Sequence, residues 1–251
     1  MTKIAIVTGA SRGLGRNTAL ALADKGHGVI ITYLGNAEAA QDVVSQIEAK
    51  GQKAAAFQLD AGDISAFSGF AGKLETLLKS KFNRDSFDIL VNNAGHAEYA
   101  PMAETTEAQF DGLVNVHFKG VFFLTQTLLP LIADSGRILN VSSGLTRVSF
   151  PGFGAYSCVK NAVEMMSVYF ARELGNRGIT VNTIAPGAIE TDFGGGVVRD
   201  TPELNAQFAE MTALGRVGLP DDIGAMIANF VSDDNGWVTG QRIEVSGGQS
   251  I

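Results

Sequence analysis

The stretch Ile4-Ala-Ile-Val-Thr8-Gly9-Ala-Ser-Arg-Gly13-Leu-Gly15 decides the architecture of this 251-residue chain. An apolar run of strand length passes straight into a glycine-rich turn, and a helical pattern opens at about Leu14. Glycines there permit a tight turn and let the backbone approach a pyrophosphate at the helix amino terminus, where free N–H groups favour an anion. The spacing is G-x-x-x-G-x-G rather than the G-x-G-x-x-G of many dinucleotide folds. Gly9, Ser11, Arg12, Gly13 and Leu14 are therefore candidate cofactor contacts. Further along, strand-length runs recur at Val29–Tyr33, Ala54–Leu59, Ile89–Asn92, Arg137–Val141, Thr180–Ala185 and Arg242–Val245. Amphipathic stretches such as Ala37–Lys50, Gln109–Leu131, Tyr156–Leu174 and Pro220–Ser232 separate them. Near-continuous apolar strands imply burial on both faces, as in a parallel sheet between helix layers. The pattern predicts one doubly wound α/β domain over residues 1–251, Rossmann-like, with a central seven-stranded parallel sheet.

Composition narrows the functional classes. The chain is 45% hydrophobic with 30 glycines, and its formal net charge is −7 without any basic run. Nucleic acid and anionic membrane are excluded as expected partners. A single cysteine, Cys158, excludes an intrachain disulfide and a cysteine-based zinc site; it reads as a small packed thiol between two candidate catalytic residues. His27, His96 and His117 show no metal spacing, so no metal site is expected; His96 stands where it could reach a substrate pocket. The run Lys3–Val7 is too short for a signal-peptide core or a membrane span, so a cytoplasmic setting is expected. Residues 190–218, containing Gly194-Gly195-Gly196, lack a clear pattern and read as a lid-like insertion beside the site. Trp237 reads as a packing residue near the carboxy terminus.

Chemistry enters with Tyr156-Ser-Cys-Val-Lys160, thirteen residues after Ser143. Side chains four apart on a helix are neighbours, so the Lys160 ammonium is expected beside the Tyr156 phenol. A free tyrosine titrates near ~10, and a nearby cation favours the phenolate, fitting it for moving a proton on and off an alcohol oxygen. The nucleotide is chosen at the end of the second strand, where a carboxylate would bind a ribose hydroxyl. That position holds Tyr33, followed by Asn36 and no carboxylate before Glu38. With Arg12 available for a 2′-phosphate, NADP(H) is expected over NAD.

With the glycine loop, Asn92-Asn-Ala-Gly95, Ser143, Tyr156-x-x-x-Lys160 and Pro186-Gly187 in order, the chain resembles the short-chain dehydrogenase/reductase family over essentially its whole length. The resemblance implies a catalytic tetrad of Asn115, Ser143, Tyr156 and Lys160. It implies that Asp60 contacts adenine and that Asn92, Ala94 and Gly95 lie along the adenosine and ribose. Pro186, Gly187, Ile189 and Thr191 would orient the nicotinamide carboxamide, while Tyr156 and Lys160 also touch the cofactor. It further implies a homotetramer or homodimer, with a four-helix contact through Gln109–Leu131 and Tyr156–Leu174.

Within the family the general likeness is to NADPH-dependent 3-oxoacyl-acyl-carrier-protein reductases and similar ketone reductases. The segment Ile132-Ala-Asp134-Ser-Gly-Arg137 departs from the basic character expected for docking an acidic carrier, which leaves Arg172 and Arg177 as the cations available. Another departure is Ser246, where an aspartate is common. The expected reaction is hydride transfer between NADP(H) and a ketone or secondary alcohol. Sugar or polyol dehydrogenases, and a non-catalytic NADP-binding sensor, are the competing readings; the sensor sits poorly with an intact tetrad. An enoyl reductase would place the lysine further from the tyrosine, and an epimerase needs a longer substrate region. Phe150, Phe153, Tyr99 and Phe193 fall in segments expected to rim a partly apolar pocket.

Overall fold

A computed structural model describes residues 2–251 of the chain. Seven strands form one parallel sheet: β1 (Ile4–Val7), β2 (Gly28–Tyr33), β3 (Ala54–Gln58), β4 (Phe87–Asn92), β5 (Ile132–Val141), β6 (Thr180–Pro186) and β7 (Arg242–Val245). Their spatial order is β3-β2-β1-β4-β5-β6-β7. All four residues of β1 and all seven of β6 are buried, as helices on both faces require.

Side chains two apart share a face, and this period sorts each strand into two cores. Ile4, Ile6, Ile30, Leu90 and Ile138 pack with Phe67, Phe70 and Leu74 of α3 (Phe67–Leu77), Leu124 and Leu128 of α5 (Gly120–Leu128), and Phe170 of α6 (Gly154–Leu174). On the other face, Val7, Val29, Ile31, Ile89 and Leu139 meet α1 (Gly13–Asp24), α2 (Ala37–Ala49) and α9 (Pro220–Phe230) through Leu22, Val43, Ile47, Ile223 and Ile227. Full burial of each such side chain is worth about 1.5–3 kcal/mol, so the two cores together dominate stability. Helices α1 and α9 approach closely at Gly224, where a Cβ would lie 2.8 Å from the Asn17 carbonyl oxygen.

The expected helix Gln109–Leu131 is in fact divided. Thr106 caps α4 (Glu107–Leu113) in a reciprocal capping box with Gln109. The chain then widens to a π-helical stretch, Val114–Lys119, before tightening again into α5. Gly120 marks the return: a Cβ there would stand 2.0 Å from the Ala61 carbonyl oxygen, so only glycine lets the helix pass this loop. The stretch read as a lid holds two short helices, α7 (Val197–Asp200) and α8 (Pro202–Glu210). Strand β5 starts five residues before the expected Arg137, because Ile132 pairs with Phe87 ahead of a register shift.

Candidate active site

Order in the sheet reverses between β1 and β4, and ligands of open α/β sheets bind in the crevice above such a switch point. Thr8, at the end of β1, knits the two sides together. Its hydroxyl accepts the Asn93 and Ala94 N–H groups, each at 2.9 Å, while Asn93 Nδ2 donates back to the Thr8 carbonyl at 2.8 Å. Gly9 and Gly13 adopt φ of +63° and +56°, and a Cβ on Gly15 would come within 2.6 Å of the Gly9 carbonyl oxygen. At the helix start, Arg12 is extended and exposed, contributes no side-chain cap, and no acidic residue occupies the first turn of α1. Open N–H groups, a free-standing cation and no carboxylate at the end of β2 fit a dinucleotide phosphate. Tyr33 is half-buried against the α2 core, and Asn36 spends its Oδ1 on the Ala39 N–H at 2.9 Å as the cap of α2. Asp60 is exposed at the same edge, its carboxylate accepting the Gly62 N–H.

Across the crevice, Thr191 is buried within 3.9 Å of where a Gly13 Cβ would sit, which brings the Pro186–Thr191 segment over the glycine loop. Gly187 N–H bonds the Val245 carbonyl and Ala188 N–H bonds Gln249 Oε1 at 3.0 Å, so the carboxy-terminal residues hold this segment. Ile189 bridges to Gly218.

Asn92, an expected cofactor contact, commits its side chain elsewhere. Asn92 is buried beneath the sheet, with its Nδ2 donating to Asn140 Oδ1 at 2.8 Å and Thr125 Oγ1 at 3.0 Å. Asn140 in turn donates to Ser167, as does Thr183, so the residues form a polar ladder across β4, β5 and β6. Its side chain is directed to the α5/α6 face because alternate strand residues point to opposite sides; the neighbouring Asn93 faces the cradle.

The expected tetrad surrounds the outer end of β5. Ser143 caps a 3₁₀ turn, its Oγ accepting the Leu145 N–H at 3.2 Å. Ser142 instead points its hydroxyl away, to Glu164 at 2.7 Å. Tyr156 and Lys160 lie one turn apart on α6, both buried. Asn115 occupies the π-helical stretch, its Cβ 3.9 Å from the position a Gly62 Cβ would take.

The charge state differs from the expectation of a phenolate made by Lys160. The ammonium donates to the Val141 carbonyl at 2.8 Å and stands 5.7 Å from the Tyr156 ring centre. Burial pushes the phenol well above its usual value, while a hydrogen bond with Ser143 pulls the other way. Burial also lowers Lys160 to about 7. Desolvation disfavours both charged forms, so the site rests with a protonated tyrosine.

His117, which the sequence reading left without a role, is fully buried with its ring perpendicular to that of Tyr156 at 5.4 Å. Its Nε2 donates to the His96 carbonyl at 2.8 Å, and burial together with the Lys160 ammonium holds it neutral. Three other expectations fall, those for Trp237, Arg177 and Cys158. Trp237 is 99% exposed rather than packed. Arg177, read as a free cation for carrier docking, pairs with Asp134 at 2.8 Å and donates to the Leu129 and Ile132 carbonyls. Among the described residues no group of three or more metal-ligating side chains forms, and no helix is long and apolar enough to cross a membrane. Cys158 is exposed, not packed.

Comparison with known proteins agrees with this geometry. A family model described as enoyl-(acyl carrier protein) reductase matches residues 9–250. A 3-oxoacyl-[acyl-carrier-protein] reductase of Staphylococcus aureus is 38% identical over 99% of this chain and 98% of its own. A short-chain type dehydrogenase/reductase of Picea abies is 35% identical over 98% of this chain and 92% of its own. Among solved structures, the angucycline C-6 ketoreductase LanV with bound NADP superposes with a TM-score of 0.93 at 38% identity, over 99% of this chain and 95% of that one. The chain belongs to the short-chain dehydrogenase/reductase family of oxidoreductases.

Proposed function

We propose that the protein reduces a ketone to a secondary alcohol with NADPH, and that Asn115, Ser143, Tyr156 and Lys160 carry the reaction. The observation that bears most weight is the buried, proton-loaded Tyr156 beside Ser143, facing the crevice framed by the glycine loop and the Pro186–Thr191 segment. NADPH, when bound, supplies the hydride that reaches the carbonyl carbon as the C=O π bond opens. Ser143 and Tyr156 donate hydrogen bonds to the oxygen on which negative charge develops; one such donor is typically worth about 3–4 kcal/mol of barrier. Tyr156 then gives its proton to that oxygen, completing the alcohol. Lys160, half-charged near neutrality, gains charge beside a nucleotide and stabilises the phenolate left behind. Asn115 positions the water that returns a proton to the pair.

Arg12 and the carboxylate-free end of β2 select the 2′-phosphate, a preference supported by the NADP bound in the LanV structure. Gly9, Ser11, Gly13 and Leu14 receive the pyrophosphate, Asp60 the adenine, and Ala94 and Gly95 the ribose. Residues 190–218 act as a lid, supported by three consecutive glycines with positive φ, Gly194–Gly196. Exposed Phe123, Met165, Val168 and Tyr169 on α5 and α6 support a homodimer through these helices; exposed Trp237 and Leu214 support a second contact and a tetramer. A cytoplasmic setting belongs to the same reading, in keeping with a single unpaired cysteine.

A second reading, reduction of a 3-oxoacyl thioester, is favoured by the Staphylococcus aureus relative. NADPH consumption measured with small ketones and acetoacetyl thioesters tests the proposal. Turnover that disappears in Tyr156→Phe supports it; tight NADPH binding without turnover of any carbonyl compound would favour a sensor.

A further inference from the structure

Five aromatic side chains from three separate loops gather at the mouth of the crevice. Tyr99, in the β4–α4 connection, lies across Gly152, where a Cβ would be 2.2 Å from Tyr99 Cε2. Gly152 has φ of +88°, so the bare backbone under this ring is enforced twice. The Ala100 N–H bonds the Gly152 carbonyl at 2.9 Å, fixing the two loops together. Phe153 meets Tyr99 edge to face at 5.5 Å, one helical turn before Tyr156. From residues 190–218, Phe193 reaches the Tyr156 ring at 5.9 Å, and Phe208 packs edge-on against Phe150 at 5.6 Å. Tyr99 and Phe193 nonetheless remain 67% and 44% exposed, as does Met102 at 71%. Ring surface left open beside a catalytic hydroxyl is apolar area awaiting a flat partner.

Charge at the mouth decides against an anionic one. Residues 96–107 carry Glu98, Glu104 and Glu107 with no lysine or arginine. Residues 190–218 carry five carboxylates and two arginines. Both arginines are occupied, Arg199 by Asp192 and Asp200, and Arg216 by Asp222. An acidic carrier protein or a phosphorylated sugar would meet like charge on this rim.

We infer that the substrate is a free, uncharged, planar aryl ketone of at least two fused rings, stacked on the open face of Tyr99 with its carbonyl toward Ser143 and Tyr156. This inference rests on the ketone reduction proposed above. The step adds a hydride from NADPH to the carbonyl carbon and the Tyr156 proton to its oxygen, giving the benzylic alcohol and NADP⁺.

Three probes test it: 1-tetralone, cyclohexanone and an acetoacetyl-carrier thioester. The expected result is a kcat/KM for 1-tetralone at least tenfold above both others. Tyr99→Ala should cut the tetralone-to-cyclohexanone ratio about tenfold, chiefly through KM, and Tyr99→Phe should restore it. Calorimetry on the protein with NADP⁺ should show 1-tetralol binding more tightly than cyclohexanol. A thioester that outperforms tetralone, or a Tyr99→Ala variant with an unchanged ratio, overturns the aryl-ketone assignment while leaving ketone reduction standing. Absence of turnover with all three, alongside tighter tetralol binding, would instead defeat the reduction and keep the aromatic site.

Discussion

The floor of the crevice and its cover are built by opposite means. On the floor, the glycine loop is tied by Thr8 and Asn93 to β4, and Tyr156 and Lys160 sit buried on α6. In the cover, residues 190–218 add no strand to the sheet, run through three glycines of positive φ, and expose Phe193 and Leu214. The floor fixes geometry, which hydride transfer needs to fractions of an ångström. A lid of adjustable geometry, as proposed for residues 190–218, would suit admitting and releasing a bulky molecule.

The sharpest probe of the floor is Tyr156→Phe, for which we expect kcat to fall ~10³-fold, equivalent to about 4 kcal/mol, with NADPH affinity within twofold by calorimetry. Retained turnover would mean the buried hydroxyl is not the proton donor. Backbone substitutions then set the two regions against each other. Gly15→Ala forces a Cβ to 2.6 Å from the Gly9 carbonyl and should cost about 3 kcal/mol by urea denaturation, weakening NADPH binding more than tenfold. Gly195→Ala meets open space and bears only the strain of φ +77°, about 1 kcal/mol, with NADPH binding unchanged. Equal effects from the two would erase the distinction between floor and cover.

Smaller effects concern charge. Arg12→Ala should reduce a roughly tenfold preference for NADPH over NADH, about 1.4 kcal/mol, toward parity in measured dissociation constants. Lys160 titrates near 7 when folded and 10.5 when unfolded, so between those values the unfolded chain binds the extra proton. Stability contributed at this site therefore rises with pH across that window, and its cost is fully present below about pH 7. Lys160→Met should accordingly be more stable than the parent in urea denaturation at pH 6.5, and lose that advantage as the pH is raised toward 10. An advantage that grows with pH would contradict a lysine depressed by burial.

The strands were legible in the sequence as short runs rich in apolar residues between helical patterns; β1 and β6 are buried along their whole length, whereas β7, Arg242-Ile-Glu-Val245, alternates. Glycine loop, Tyr156 and Lys160 were legible because their roles depend on spacing within one element. What escaped depended on departures from regular spacing or on partners far along the chain. A π-helical stretch shifts residues relative to a 3.6-residue period, so nothing in the pattern aimed His117 at Tyr156. Asn92 and Asn93 are adjacent yet face opposite sides of β4, and only the strand register separates their roles. Arg177 looked free because its partners, Asp134 and the Leu129 and Ile132 carbonyls, lie far back in the chain, at the end of α5 and the start of β5. The Tyr156 charge state required knowing the depth of burial, which four-residue spacing does not report.

The ladder of Asn92, Asn140, Ser167 and Thr183 has a consequence for how the chain can misfold. Because side chains alternate across a strand, sliding β4, β5 or β6 by a single position would swing an amide or hydroxyl into the greasy layer under α1 and α9, stripped of every partner. The molecule thus carries an alignment key beneath its reaction centre: only one pairing of these strands satisfies it, and that pairing is the one presenting the Val141 carbonyl to Lys160.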